Sequence, residues 1–150
     1  MNVIRGLLSL LGRLMIVPIF LLSAVGNKIP KFNEVAEVMA DEGVPQPKIL
    51  LAGAIAFLIL GSLSIAVGYR ARLGAFLLLV FLGAATYYFH DFWNVPADQQ
   101  QAELISFMKN LSLMGTMVFL MANGAGPMSL DSRAARRAAA SPEEGEDDEE

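Results

Sequence analysis

The stretch ILLAGAIAFLILGSLSIAV, residues 49–67, runs for nineteen residues without a single charge. A helix rising about 1.5 Å per residue needs about 20 residues to cross the roughly 30 Å hydrocarbon layer of a bilayer. A soluble helix of this length keeps its apolar residues on one face, whereas here they occupy every face, as a lipid surround requires. Three further runs of the same kind, at residues 7–25, 73–89 and 104–122, bring the total to four, each about 17 to 20 residues long. The expected fold is therefore all-α, a bundle of four transmembrane helices over residues 1–132. Residues 133–150 form a charged tail without the apolar content to build a core, expected to be disordered or at most to begin as a surface helix.

Composition agrees with a membrane protein. Hydrophobic residues make up 55% of the chain and charged residues 17%, against about 25% charged in an ordinary soluble domain. The runs lack the period-two alternation of a transmembrane β-barrel. The first has Arg5 before it and Ser23, Ala24 and Gly26 at its end, as a secretory signal would. It is longer than a signal core and carries Arg13 inside it, so it is expected to stay as a span. The third ends in Tyr87, Tyr88 and Phe89, followed by Phe92 and Trp93, the aromatic belt expected where a helix meets the headgroups.

The net charge of -4 hides two opposite regions, because seven of the fifteen acids lie in the last ten residues; the rest has 11 bases against 8 acids, about +3. That leaves no basic stripe able to neutralise a run of phosphates, so nucleic acid is not an expected partner. The chain has no cysteine, which excludes disulfides, thiolate nucleophiles and cysteine-ligated metals. His90 is its single histidine, so no metal site is expected; a redox role would need a bound cofactor, such as a quinone, or a partner protein.

Between the first two spans, Phe32, Val35, Val38 and Met39 recur at helical spacing among Glu34, Glu37, Asp41 and Glu42. This pattern predicts a short amphipathic helix at the interface, ended by Gly43 and Pro45. The turn GYRAR, residues 68–72, joins the second and third spans, and a polar connection holding Pro96 joins the third and fourth. Arg5, Arg70, Arg72, Arg133, Arg136 and Arg137 fall on one side of the four spans, and Lys28, Lys31, Lys48 and Lys109 on the other. By the positive-inside rule both termini are expected in the cytoplasm.

Polar groups within apolar runs are expensive in a bilayer and mark candidate sites. Arg13 either snorkels to the cytoplasmic headgroups or lies inside the bundle, holding an anion or the carbonyls of another helix. Lys28, Thr86 with His90, and Lys109 with Asn110 bring three spans to one level near the outer face. Together they form a positively biased, acid-poor cluster suited to an anionic ligand, a quinone carbonyl or lipid headgroups. No Asp or Glu lies within the four runs, which argues against a proton-coupled transporter. Gly53, Gly61, Gly83 and Gly115 are expected to let helices approach closely, and Pro18 to kink the first span or open its hydrogen bonding.

The order of these landmarks resembles that of the DoxX family of bacterial membrane proteins. The resemblance runs over residues 8–131, through GRLMIVPIFLLSAVGNKIPKF, MADEGVP, GYRARLGAFLL, ATYYFHDFW, FMKNLSLMG and GAGPMSLD. It implies a four-helix membrane bundle and associates Arg13, Lys28, His90, Lys109 and Asn110 with the family pattern, without a catalytic role for any of them. Some members of the family are associated with thiosulfate:quinone oxidoreductase complexes and others with oxidative-stress assemblies containing soluble enzymes. The resemblance thus implies an accessory or anchoring subunit of a membrane redox assembly, at most a membrane subunit of a quinone-dependent oxidoreductase. A small-molecule permease is the alternative from another class, and self-association is compatible with both. The acidic extension after Ala140 lies outside the family pattern.

Overall fold

The computed structural model describes residues 2–140. Its elements are α1 (Asn2–Leu21), a π-helical segment (Leu22–Lys28), α2 (Phe32–Asp41), α3 (Pro47–Val67), α4 (Ala71–Phe89), α5 (Gln100–Asn123) and α6 (Leu130–Ala140). Among the described residues, four stretches are long and apolar enough to cross a bilayer: Val3–Lys28, Pro47–Val67, Ala71–Phe89 and Gln100–Asn123. α1 packs on α3, α3 on α4, and α4 on α5. Each of the four expected spans is thus present, and the short helix between the first two is α2.

Unlike a water-soluble bundle, this one carries large apolar side chains on its outer surface as well as in its core, and buries a few polar groups. Leu8, Leu11, Leu60, Leu63, Phe76, Val118 and Phe119 point outward, while Arg13, Ser62, Thr86, Asn110 and Ser129 are buried. Lipid tails are as apolar as leucine, so burying leucine offers no gain there; packing and internal hydrogen bonds hold the helices together instead. The core runs through Val17 and Phe20 of α1, Leu58 and Ile65 of α3, Leu78 and Leu82 of α4, and Met117 of α5.

Gly61 and Gly74 bring α3 and α4 into close contact. A Cβ on Gly61 would stand 2.9 Å from the Gly74 carbonyl oxygen, and one on Gly74 would stand 2.8 Å from the Gly61 carbonyl oxygen and 2.6 Å from Ser64 Cβ. The backbones of α3 and α4 touch here, and only glycine fits. The other glycines expected to serve this purpose do not: a Cβ on Gly53, Gly83 or Gly115 would meet nothing within 4 Å. These three lie on exposed helix surfaces.

Arg13 is 1% exposed, and of its two expected placements the structure has the internal one. The last carbonyls of a helix lack intrahelical partners and carry its negative dipole end. Arg13 Nη1 donates to the carbonyls of Ile65 (3.3 Å) and Ala66 (3.1 Å), the end of α3, while Nη2 donates to Met128 and Nε to Ser9 at 3.4 Å. One guanidinium therefore ties α1, α3 and the segment after α5 together.

Around it the rest of this end closes. Ser9 Oγ donates to the Ala125 carbonyl at 2.6 Å. Gly68 ends α3 with φ +69°, a left-handed conformation suited to glycine, and a Cβ there would come within 2.5 Å of Ser129 Cβ. The Gly68 carbonyl accepts from the Asp131 amide at 2.9 Å. The Asp131 carboxylate accepts from the amides of Arg70 (2.7 Å) and Ala71 (3.2 Å), capping the start of α4. Ser129 and Ser132 cap α6 reciprocally: Ser132 N–H donates to Ser129 Oγ at 3.2 Å, and Ser129 N–H to Ser132 Oγ at 3.3 Å, the geometry of a capping box. Residues 133–140, assigned to the tail on composition, thus continue a capped helix, and residues 141–150 lie outside the described part.

Two outcomes follow from this packing. Arg13→Met leaves the α3 carbonyls and Met128 without a donor, and thermal unfolding in detergent is expected to register a loss of about 1–3 kcal/mol; an unchanged melting temperature would contradict the clamp. Gly74→Ala is expected to lower the melting temperature clearly. Gly83→Ala and Gly115→Ala should leave it level or raise it, alanine being favoured over glycine in helices by about 1 kcal/mol.

Candidate ligand site

At the end of the bundle away from the termini, the helices separate around a cavity of about 570 Å³. Its walls come from Phe20, Ser23 and Lys28 of the first span, Leu51 and Phe57 of α3, Phe81 and Tyr88 of α4, and Asn110 and Leu113 of α5. α2 covers it. Phe32, Val35, Ala36 and Met39 turn one side of that helix onto Leu51, Ile55, Tyr88 and Phe89, while Gly43 at φ +75° ends it and lets Val44 fold back, its amide donating to the Met39 carbonyl at 2.9 Å. Val35, Met39 and Val44 thereby line the cavity.

Lys28 owes its position to the winding of the first span. Pro18 lacks an amide hydrogen, so the Leu14 carbonyl loses its helical donor. Four residues later the chain loosens into the π-helix Leu22–Lys28. Five residues are about 1.4 turns of an α-helix and would set Ser23 and Lys28 on diverging faces. In the wider winding they align, and Lys28 Nζ donates to Ser23 Oγ at 2.7 Å. The ammonium also lies 5.4 Å from the centre of the Phe81 ring on α4, a cation–π contact. Among the described residues no carboxylate pairs with it.

The remaining polar groups arrive on α4 and α5. His90 follows the last turn of α4, and its Nδ1 stands 2.9 Å from Glu103 Oε2. Asn110 Nδ2 donates to Thr86 Oγ1 at 3.1 Å, both residues being buried. Lys109, exposed overall, reaches the cavity beside Asn110. Of the residues singled out in the sequence, Lys28, His90, Lys109 and Asn110 therefore line one cavity, and Thr86 supports it through Asn110. Arg13 does not line it and lies at the opposite end.

Glu103 escapes the sequence reading. α5 begins at Gln100, four residues before the apolar run, so Glu103 sits in its first turn and faces the end of α4. The usable signal was Pro96 and Asp98 just ahead of a glutamine-rich stretch of good helix formers. The cluster is accordingly less acid-poor than expected, although among the described residues no carboxylate lines the cavity itself. Beyond it, Phe92, Trp93 and Phe107 pack edge to face, with centroids 5.1 to 6.2 Å apart, and join the α4–α5 connection to α5.

The arrangement places hydrogen-bond donors and positive charge at one end of an apolar cavity. Beyond the bonds already made to Ser23 and Thr86, Lys28 keeps two N–H donors and Asn110 one, and Lys109 adds up to three. Among the described residues no group of three His, Cys, Asp or Glu side chains comes together as a metal would need. Thr86→Val and Asn110→Leu are each expected to lower stability by about 1 kcal/mol. The double variant should lose less than the sum, and strict additivity in detergent unfolding would show that the two side chains do not act as a pair.

Comparison with known proteins covers most of the chain. The Escherichia coli K12 inner membrane protein YphA is 28% identical over 129 residues, which cover 86% of this chain and 91% of that protein. The Surfeit locus protein 4 homolog of Schizosaccharomyces pombe is 27% identical over 71 residues, 46% of this chain but 24% of the yeast protein, so the match spans about a quarter of that relative. No solved structure matches significantly. The DoxX family model matches residues 8–91, from the helix that carries Arg13 through the end of α4 with His90, and the chain belongs to the DoxX family.

Proposed function

We propose that this DoxX-family protein lies in the bacterial inner membrane with both termini in the cytoplasm and binds a small anionic or quinone-like molecule in the cavity beneath α2. The localisation is supported by the name of the E. coli relative, an inner membrane protein. The orientation is supported by the arginines, which gather at the end holding the termini, in keeping with the positive-inside rule.

The observation that carries the binding reading is Lys28. Its ammonium lies between α1 and α4 with a serine hydroxyl and an aromatic face as neighbours and, among the described residues, no carboxylate partner. Charge within a bilayer is costly without a partner and marks a functional position. An anionic or carbonyl-bearing head group within reach of Lys28, Lys109 and His90 supplies that partner, and an apolar tail fits the walls formed by Phe20, Phe57 and Leu113. The site offers recognition and no evident chemistry, so the role proposed for it is that of an accessory subunit in a membrane redox assembly.

Mass spectrometry of the protein solubilised gently from native membranes tests this reading. A co-purifying quinone or amphiphilic anion is expected, reduced about ten-fold in Lys28→Met, which corresponds to about 1.4 kcal/mol. Equal amounts in the variant and the parent would refute the assignment to this cavity. A co-purifying oxidoreductase would support the accessory role.

A further inference from the structure

At the opposite end of the bundle a second depression, of about 920 Å³, opens where α4, α5 and α6 meet. Arg70 and Arg72 line it from the start of α4, and Arg136 from α6, with Asn123, Ser132 and the backbone of residues 124–127 completing its floor. We propose that this depression binds the phosphodiester head group of an anionic phospholipid.

Three observations carry the proposal. First, the local acid is already committed: both oxygens of Asp131, the carboxylate that lines the depression, accept backbone amides, at 2.7 Å from Arg70 and 3.2 Å from Ala71. Second, the guanidinium groups keep most of their donors. Arg72 Nη2 reaches the Ala122 carbonyl at 3.4 Å and Arg136 Nη2 the Pro127 carbonyl at 3.3 Å, one long contact each out of five N–H donors per side chain. Third, the bases are sorted by type. All seven arginines lie at the end with the termini and all four lysines at the other. Arginine presents a planar fork that matches a phosphate bidentately, whereas lysine presents a point charge.

The position suits a lipid better than a soluble phosphate. The depression sits where the ends of two transmembrane helices meet the headgroup layer, and exposed apolar residues, Leu73 and Leu130, lie beside it. Acyl chains can run down these flanks while the phosphate remains among the arginines. Basic recesses between transmembrane helices are a recurring way of holding anionic head groups.

Full-length protein in detergent, titrated with phosphatidylglycerol or phosphatidylcholine and read by native mass spectrometry and thermal unfolding, tests the site. Phosphatidylglycerol should be retained and raise the melting temperature, and phosphatidylcholine should not. Each basic residue near an anionic head group is worth about five-fold in binding, so Arg72→Gln/Arg136→Gln should weaken retention by about ten-fold or more. Each substitution gives up one long contact to a carbonyl, and the melting temperature in phosphatidylcholine checks the fold. Arg72→Lys/Arg136→Lys should recover only part of the loss. Equal retention by parent and double glutamine variant overturns the proposal. So does stabilisation by inorganic phosphate as strong as that by the lipid, or retention that appears only after residues 141–150, with their seven acids, are removed.

Discussion

A guanidinium buried in an apolar bundle must have its donors met from within, because lipid offers no acceptors. Arg13 satisfies this by taking carbonyls from α1, α3 and the segment after α5, and much of the architecture at that end follows. The donors can reach Ile65 and Ala66 only if α3 stops there, which Gly68 ensures in a left-handed conformation. They can reach Met128 only if the chain after α5 crosses beneath α1, which the Ser9 bond to Ala125 fixes. From that crossing, Asp131 caps α4 and Ser129 caps α6. The motif Gly-Ala-Gly-Pro-Met-Ser-Leu-Asp thus acts as a knot that fastens this end of the bundle.

With one end fastened in this way, the other is free to open. Gly61 and Gly74 bring α3 and α4 together nearer the knotted end, while the π-helical winding of the first span and the cover provided by α2 leave space at the far end. The two ends also differ in their chemistry. Arginine, always charged and able to bind several acceptors in a plane, gathers where carbonyls and phosphates are the partners. Lysine is a compact ammonium on a flexible stem, and two of the four, Lys28 and Lys109, line the cavity.

Much of this was legible in the sequence. The four spans and the amphipathic α2 could be read because uncharged length and helical periodicity are direct consequences of the solvent each segment meets. Lys28, His90, Lys109 and Asn110 could be brought to one level by counting residues along antiparallel helices. Which glycines face inward could not be read: a helix apolar on every side carries no signal of which side its neighbour takes, so Gly83 and Gly115 looked the same as Gly61. The π-helix was equally hidden, since no residue in LSAVGNK requires it. Arg13 was recognisable as costly, yet its partners are backbone carbonyls, which every sequence contains and none advertises.

In the function proposed here, the knotted end holds the fold while the lysine end holds a ligand. A density map of the full chain reconstituted with native membrane lipids tests it most directly. An elongated feature is expected beneath α2 with its head against Lys28 and Lys109, and Arg13 still bound to the end of α3. A cavity collapsed onto itself, with the Lys28 ammonium swung out to the headgroups and no density in its place, would contradict it.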